Sequence, residues 1–190
     1  HNVSSAASDV YKRQKIDYGK GKERKTEIKV FDDVDVTKVV IRNTKLYVNR
    51  VEGFVGTGMR REEYVCDCSD IDDIIVFTKS GTMMVTKVDT KTFIGKNILH
   101  VAVFKKKDAR TIYNMIYKDG KGGATFIKRF AVTSITRDKA YDLTKGKPQT
   151  NVLYFSANPN GEAEIVSVLL RQVGSIKKLK WDINLSLIHI

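Results

Sequence analysis

A strand-turn-strand unit that recurs about every forty residues is the feature that most constrains the fold. Its clearest marks are three turn glycines, Gly81, Gly120 and Gly161, which are separated by 39 and 41 positions. Each glycine follows a run rich in β-branched and aromatic residues, and a second such run comes after it. Self-similarity at this period is typical of solenoids, propellers and related arrays. Short strands without a long helical period favour the propeller class.

We therefore predict an all-β fold, a partial propeller-like array of about four blades. The predicted blades cover residues 30–68, 70–107, 108–147 and 149–182. Their first strands are predicted at 39–44, 74–79, 114–118 and 152–157, and their second strands at 46–51, 83–88, 125–130 and 165–168. Third strands are predicted at 64–66, 99–104 and 131–135, whereas residues 137–143 are compatible with a helix or a loop. The triplets 54–56 and 93–95, Phe-Val-Gly and Phe-Ile-Gly, lie 39 positions apart and support this register.

The two ends of the chain do not follow the repeat pattern. Residues 1–14 and 185–190 resemble translated adapter sequence or disordered tails, and we leave both out of the fold prediction. Residues 15–29 form a polar, basic lead-in. Because blades of an array need neighbours to cover them, four repeats would leave the outermost blades uncovered. The sequence is therefore expected to be part of a longer protein.

Charge indicates the class of partner. The chain has 34 Lys and Arg against 22 Asp and Glu, a net charge of +12, which favours binding to a polyanion. No run approaches the roughly 18 apolar residues of a membrane span, and no basic amphipathic helix is evident. Nucleic acid is thus favoured over membrane. Cys66 and Cys68 would form a strained disulfide, and His100 is the one histidine away from the termini, so we expect reduced structural thiols rather than zinc ligands.

Basic residues follow the repeat and are the candidate DNA ligands. Aligning the second strands places Arg50, Lys87 and Arg129 in one column, predicted to lie on the solvent face from blade to blade. The other candidates lie in connections or beside the column: Lys105, Lys106, Lys107, Lys118, Lys121, Lys128, Arg171, Lys177 and Lys178. Any single lysine is compatible with an ordinary solvated surface. As a set, they predict contacts to the phosphate backbone, which give affinity without sequence information.

Catalytic and ligand-binding motifs are poorly represented. The turn at 119–123 is glycine- and lysine-rich, but it lacks Walker-loop spacing and is predicted to be a hairpin turn. An acidic stretch has no regular metal-ligand spacing and is expected to face a basic neighbour or to keep DNA off one side: Glu62, Glu63, Asp67, Asp70, Asp72 and Asp73. No histidine is placed to activate a nucleophile, so we predict no catalytic residue, metal or cofactor in this segment.

Several motifs resemble a known family. They are Lys-Leu-Tyr-Val-Asn-Arg at 45–50, Gly-Phe-Val-Gly-Thr-Gly at 53–58, and the runs at 70–81, 111–120 and 156–164. Over residues 15–184 the chain is similar to the C-terminal region of the topoisomerase IV A protein, within the gyrase A and topoisomerase IV A family, and especially to its Bacteroidetes type. The resemblance implies a β-pinwheel whose basic rim binds and bends double-stranded DNA and presents it to an ATP-driven cleavage core.

The resemblance has two departures and several implications. No Arg-Tyr pair like that of the family's cleavage site occurs, so no catalytic residue is carried over. The Gln-Arg-Arg-Gly-Gly-type box of gyrases is also absent. Its absence favours decatenation and relaxation over the introduction of negative supercoils, and membership of the gyrase branch stays an open alternative. For the whole enzyme the resemblance implies ATP and Mg²⁺, an ATPase B subunit, a second copy of the A-type subunit, and a cytoplasmic, nucleoid-associated location. The alternative prediction is a propeller-type protein-interaction module that does not bind DNA.

Overall fold

The computed structural model describes residues 44–172, 174 and 177–188, which contain thirteen β-strands, one short 3-10 helix and no α-helix. The prediction of an all-β fold is confirmed. The strands are β1 (Thr44–Asn49), β2 (Phe54–Gly56), β3 (Glu63–Cys68), β4 (Asp73–Thr78), β5 (Thr82–Lys87), β6 (Thr92–Phe93), β7 (Ile98–Phe104), β8 (Ile112–Lys118), β9 (Thr125–Ala131), β10 (Ala140–Asp142), β11 (Asn151–Asn158), β12 (Ile165–Leu169) and β13 (Lys180–Asn184).

The strands form a series of antiparallel sheets, as expected of a pinwheel-like array. The first sheet has the order β3-β1-β2-β6, the second β10-β5-β4-β7 and the third β11-β8-β9. β12 and β13 pair only with each other within the described residues. In each of the three sheets one strand forms hydrogen bonds on both sides and continues through a hairpin turn into the next strand. We call β1, β4 and β8 the central strands.

The first two sheets are completed by a short strand from the following repeat. β6 pairs with β2, placing Phe54 opposite Phe93, and β10 pairs with β5, placing Tyr141 opposite Met83. The two Phe-containing triplets that marked the repeat in sequence are therefore hydrogen-bonded neighbours. Strand exchange of this kind links successive blades through backbone hydrogen bonds as well as through side-chain packing.

The structure corrects several strand predictions. The strand expected to open the fourth repeat is β11, and it pairs with β8 in the third sheet, whereas β12 pairs with β13. Residues 132–135 are not a strand, and the stretch 137–143, expected to be helix or loop, contains β10. The turn at 119–123 is a hairpin turn between β8 and β9, as predicted. The strand predicted at 39–44 lies outside the described residues except for Thr44, the first residue of β1.

Side chains that alternate between the two faces of the central strands contribute to three buried clusters, two of which flank β4. Ile74 and Val76 of β4 pack with Leu46 and Val48 of β1 in a cluster that also contains Cys68, which is fully buried. The opposite face of β4 contributes to a second cluster with β8, in which rings from β7, β8, β9 and β11 surround Phe77. β4 and β8 are therefore buried on both faces, whereas β1 buries one face through Leu46 and Val48 and leaves Lys45 exposed on the other.

The end of the described chain is ordered by local contacts. Leu185–Leu187 forms a 3-10 helix whose first turn is capped by the side chain of Asn184, and Leu185 is 1% exposed. Residues 185–187 thus differ from the disordered tail expected from the sequence. Residues 1–14 lie outside the described part of the chain.

Candidate nucleic-acid interface

A basic residue occupies the same structural position in each of the three sheets, at the end of the central strand. Arg50 follows β1, Lys79 follows β4, and Lys118 is the last residue of β8. Backbone hydrogen bonds establish the first equivalence, because Ile98 N donates to Arg50 O at 2.8 Å and Val152 N donates to Lys79 O at 2.9 Å. Lys79 and Lys118 each stand two residues before a turn glycine with positive φ. We call these three residues the rim column.

The rim column replaces the column predicted from sequence. Lys87 pairs with the first residue of β4, Arg129 pairs with Asn114, the third residue of β8, and Arg50 lies beyond the end of β1. The three predicted positions are therefore not equivalent. Lys87 and Arg129 differ because the connection between β8 and β9 is longer than that between β4 and β5. Arg50 differs from both because the run predicted as a second strand, 46–51, overlaps the central strand β1. Alignment of the predicted second strands missed Lys79. Lys79 and Lys118 both stand two residues before a turn glycine, and this shared spacing could have identified them as equivalent positions.

Arg50 is partly occupied by contacts within the chain. Its Nε and Nη2 donate to the two carboxylate oxygens of Glu63 at 2.7 Å each, and its Nη1 donates to Leu99 O at 2.7 Å. The hydrogen bonding that Arg50 donates to Glu63 raises the pKa of Arg50 and lowers the pKa of Glu63. Arg50 is thus a paired cation, whereas Lys79 is exposed.

Next to Lys118, two loops bring further lysines together. The β8–β9 turn meets the loop at 143–150 through Asp119, which is 1% exposed. Thr150 Oγ1 donates to Asp119 Oδ1 at 3.3 Å, Gly120 N donates to Thr150 Oγ1 at 3.2 Å, and Lys147 Nζ lies 3.5 Å from Asp119 Oδ2. A buried carboxylate therefore fixes one loop against the other. We call this arrangement the lysine double loop; its exposed lysines are Lys121, Lys145 and Lys147.

Aromatic rings support two of the lysines around the double loop. Lys145 Nζ lies 3.9 Å from the centre of the Phe126 ring, within the range of a cation–π contact. Lys128 Nζ donates to Leu143 O and lies 5.9 Å from the centre of the Tyr117 ring. Such contacts limit side-chain freedom while leaving the ammonium groups accessible. Sequence reasoning identified Lys118, Lys121 and Lys128 but missed Lys145 and Lys147, because only the fold brings residues 143–150 to this turn.

Comparison with known proteins places this geometry in a family. The model of a family described as the topoisomerase C-terminal domain of Bacteroidota matches residues 45–190, more than three quarters of the chain. The chain belongs to this family. It is also 29% identical over 143 residues to the A-type subunit of DNA topoisomerase 4 from Borreliella burgdorferi, an alignment that covers 75% of this chain and 22% of that protein. The chain thus spans about a fifth of this relative's length. No solved structure matches it.

The remaining predicted ligands of this topoisomerase C-terminal domain lie apart from the rim column. Lys87 is exposed at the end of β5, and Lys105, Lys106 and Lys107 are exposed in the turn that follows β7. Arg171, Lys177 and Lys178 are exposed near the tip of the β12–β13 hairpin. Arg129 is half-buried and donates to Gly161 O and Leu185 O. The exposed residues of this set stay candidate ligands, whereas the guanidinium of Arg129 is enclosed by backbone carbonyl groups.

A second basic patch, which sequence reasoning missed, lies on the first sheet of the domain. Lys91 Nζ is 4.4 Å from the centre of the Phe54 ring, which packs edge-on against the exposed ring of Phe93. Arg60 and Arg61 line the same shallow groove. Strand exchange creates this patch, because it brings β6 and the residue before it beside β2.

The acidic stretch of the domain contributes two ion pairs. Glu63 pairs with Arg50, and Asp73 Oδ1 lies 2.9 Å from Arg137 Nε, so the prediction that these acids face basic neighbours is confirmed for both. Asp72 accepts a hydrogen bond from Ser69 N at 2.9 Å. Among the described residues, no group of three or more His, Cys, Asp or Glu is arranged to hold a metal ion.

Titratable groups also meet at a small cavity between β7 and β8. His100 lies among Phe77, Tyr113 and Phe155, and burial, with a smaller effect of Arg50, lowers its pKa. Burial raises the pKa of Tyr113 to about 12. Thr111, which also lines the cavity, donates its hydroxyl to Asp108 at 2.8 Å.

Within the described part of the chain, no helix is long and apolar enough to cross a membrane.

Proposed function

We propose that this domain binds and bends double-stranded DNA as part of the A-type subunit of a type IIA topoisomerase, of the topoisomerase IV kind. The observation that carries the proposal is the rim column, in which Arg50, Lys79 and Lys118 stand at the same end of three successive sheets. The lysine double loop extends this basic surface beyond the third sheet. A net charge of +12 supports a polyanionic partner.

The proposed mechanism is electrostatic. Lysines along the rim neutralise phosphates and release condensed counterions, so binding is strong at low salt and nearly independent of sequence. Because successive blades of a pinwheel are rotated relative to one another, a path over equivalent positions is curved. Bending a duplex along such a path costs about 1–6 kcal/mol, which additional phosphate contacts offset.

The candidate ligands differ in how free their charges are. Lys79, Lys118, Lys121 and Lys145 lead, because they combine a shared location with exposed or partly exposed side chains. Lys147 contributes less, since it forms an ion pair with the buried Asp119. Arg50 contributes less, since Glu63 already binds its guanidinium. The outlying candidates form the second group: Lys87, Lys105, Lys106, Lys107, Lys128, Arg171, Lys177 and Lys178.

In the whole enzyme, the domain would present DNA to a cleavage core built from two copies of the A-type subunit and driven by an ATPase B subunit. ATP and Mg²⁺ would act in those other parts, and the overall reaction would be decatenation and relaxation in the cytoplasm, at the nucleoid. These statements are proposals that rest on family membership and on the name of the Borreliella burgdorferi relative.

A salt titration tests DNA binding. A fluorescent linear duplex of about 40 base pairs is titrated with the protein at several salt concentrations, and log K is plotted against log salt. The double variant Lys79→Gln, Lys118→Gln should lower the magnitude of the slope by about 1.8, because each lost phosphate contact removes about 0.9. The matched control is Lys45→Gln, an exposed lysine near the opposite end of β1. Absence of binding by the folded protein at low salt would overturn the proposal.

A protein-interaction module is the second candidate. It is favoured by exposed apolar side chains on the β12–β13 hairpin, where Ile165 is 68% and Leu169 is 73% exposed. An interaction carried by these side chains would be insensitive to salt, in contrast to phosphate binding. It would also be lost in an Ile165→Ser, Leu169→Ser variant, while the slope of the DNA titration would not change.

A further inference from the structure

The face of the third sheet that points away from the second sheet carries a row of polar side chains. Arg129 of β9 pairs with Asn114 of β8, which pairs in turn with Ser156 of β11. Asn114 is 1% exposed, so this row is covered. The rows on either side are mostly apolar and contain Ile112, Ala131 and Asn158 on one side and Ile116, Ile127 and Tyr154 on the other.

Arg129 binds both ends of the β12–β13 hairpin at once. Its Nη2 donates to Gly161 O, ahead of β12, and its Nη1 donates to Leu185 O, just after β13, both at 3.1 Å. Leu185 N donates to Glu164 O at 2.9 Å and joins the two ends to each other. The guanidinium fork suits this task, because it can reach two carbonyl groups in one plane whereas a lysine ammonium is a single point of attachment.

The side chain of Glu164 fastens the same segment from the opposite direction. Its Oε2 accepts hydrogen bonds from Ser156 Oγ at 2.5 Å, Asn114 Nδ2 at 3.0 Å and the Tyr154 hydroxyl at 3.3 Å. The polar row therefore contacts the base of the hairpin in two ways. Arg129 of the row donates to carbonyl groups of the hairpin, and Asn114 and Ser156 of the row donate to the Glu164 carboxylate. Buried networks of this kind favour one docked arrangement over others, because each broken bond leaves a buried polar group unpaired.

We infer that Arg129 is a positioning residue, which clamps the β12–β13 hairpin to the third sheet and thereby orients the basic residues near its tip. Those residues are Arg171, Lys177 and Lys178, all exposed. Arg129 itself is not a phosphate ligand, because two of its nitrogens are bound to backbone carbonyls and its Nε is buried. The effect on DNA rests on the proposed function, whereas the clamp itself does not.

Hydrogen exchange without DNA tests the clamp directly. In Arg129→Gln, amides of β12 and β13 should exchange at least about tenfold faster, while amides of β4 keep their protection. Arg129→Lys should restore part of the protection, and Lys87→Gln, a charge-matched control at the exposed end of β5, should leave the hairpin unchanged. Unchanged hairpin protection in Arg129→Gln would overturn the inference.

A second variant addresses the case in which Arg129→Gln does not fold. Glu164→Gln removes the charge from the other side of the clamp and should also speed exchange in β12 and β13; unchanged exchange there would contradict the inference. In the DNA titration, Lys177→Gln with Lys178→Gln should weaken binding in the wild-type background and have a smaller effect in Arg129→Gln. Equal effects in both backgrounds would overturn the orienting role. If neither background binds DNA, the proposed function fails, but the exchange result still decides the clamp.

Discussion

Arg50 and Glu63 are joined by two parallel hydrogen bonds of 2.7 Å, so one of the three rim-column cations carries its own counter-charge. We predict that Glu63→Gln strengthens DNA binding several-fold at low salt, because it frees the guanidinium and removes a negative charge. The side chains are 38% and 53% exposed, so losing the pair should lower stability by less than about 1 kcal/mol. Fluorescence titration and urea unfolding measure the two effects.

The neighbouring Glu62 provides a matched control for this prediction. Glu62 is exposed, and the change Glu62→Gln removes the same single negative charge as Glu63→Gln. If Glu62→Gln and Glu63→Gln strengthened binding equally, the effect would come from net charge alone, and the special role of the Arg50 pair would be refuted.

His100 should make the domain less stable in mild acid. Burial lowers its pKa in the folded state, so the unfolded chain takes up a proton first as the pH falls below about 6.5. Stability should therefore be full above that value, fall as the pH drops towards the lowered pKa, and level off below it. Urea unfolding between about pH 7.5 and 5 should show a smaller decline in His100→Phe. An equal decline in both proteins would assign the effect to other groups.

Tyr113 should make the domain less stable at alkaline pH. Burial raises its pKa from 10.0 to about 12, so the unfolded chain loses the phenolic proton first as the pH rises above 10. Stability should be unaffected below that value and should fall by at most roughly 2–3 kcal/mol as the pH rises to about 12. Unfolding of Tyr113→Phe over this range should lack that decrement. A decrement of the same size in the variant would contradict the prediction.

Gly53 should not tolerate a side chain. Its φ is +85°, and a Cβ atom there would lie 2.2 Å from Gly95 O, where the first sheet receives its exchanged strand. We expect Gly53→Ala to destabilise the protein by about 1–3 kcal/mol. Gly122→Ala is the control, because a Cβ atom at Gly122 meets nothing within 4 Å. Thermal unfolding of both variants should separate them, and equal melting temperatures would refute the steric argument.

The sequence was sufficient to predict most of the longer strands and the family. Alternating apolar residues located most strands, turn glycines such as Gly81 and Gly120 located two hairpins, and the motifs at 45–58 and 70–81 pointed to the family whose model matches. These features are local, so each is visible in a short window of residues.

The pairing of strands between repeats was not predictable, because it depends on contacts between residues far apart in the sequence. β6 has two residues and β10 has three, too few to show a period, and both take their place from the neighbouring sheet. A longer β8–β9 connection then shifted the alignment of Arg129 with Lys87. For the same reason the sequence offered Arg129 as an exposed ligand, although the carbonyl groups that enclose it lie 32 and 56 positions away.

Strand exchange also makes the folding unit differ from the repeating unit. A break in the chain between β5 and β6 would leave the edge of β2 open, although β2 belongs to the repeat before the break. Damage to one repeat therefore spreads to its neighbour, and we expect the blades to melt together rather than one by one. Repeats could be gained or lost during evolution only where the new junction restores a partner to every exposed edge, so the number of blades should change far less readily than the lysines on their rim.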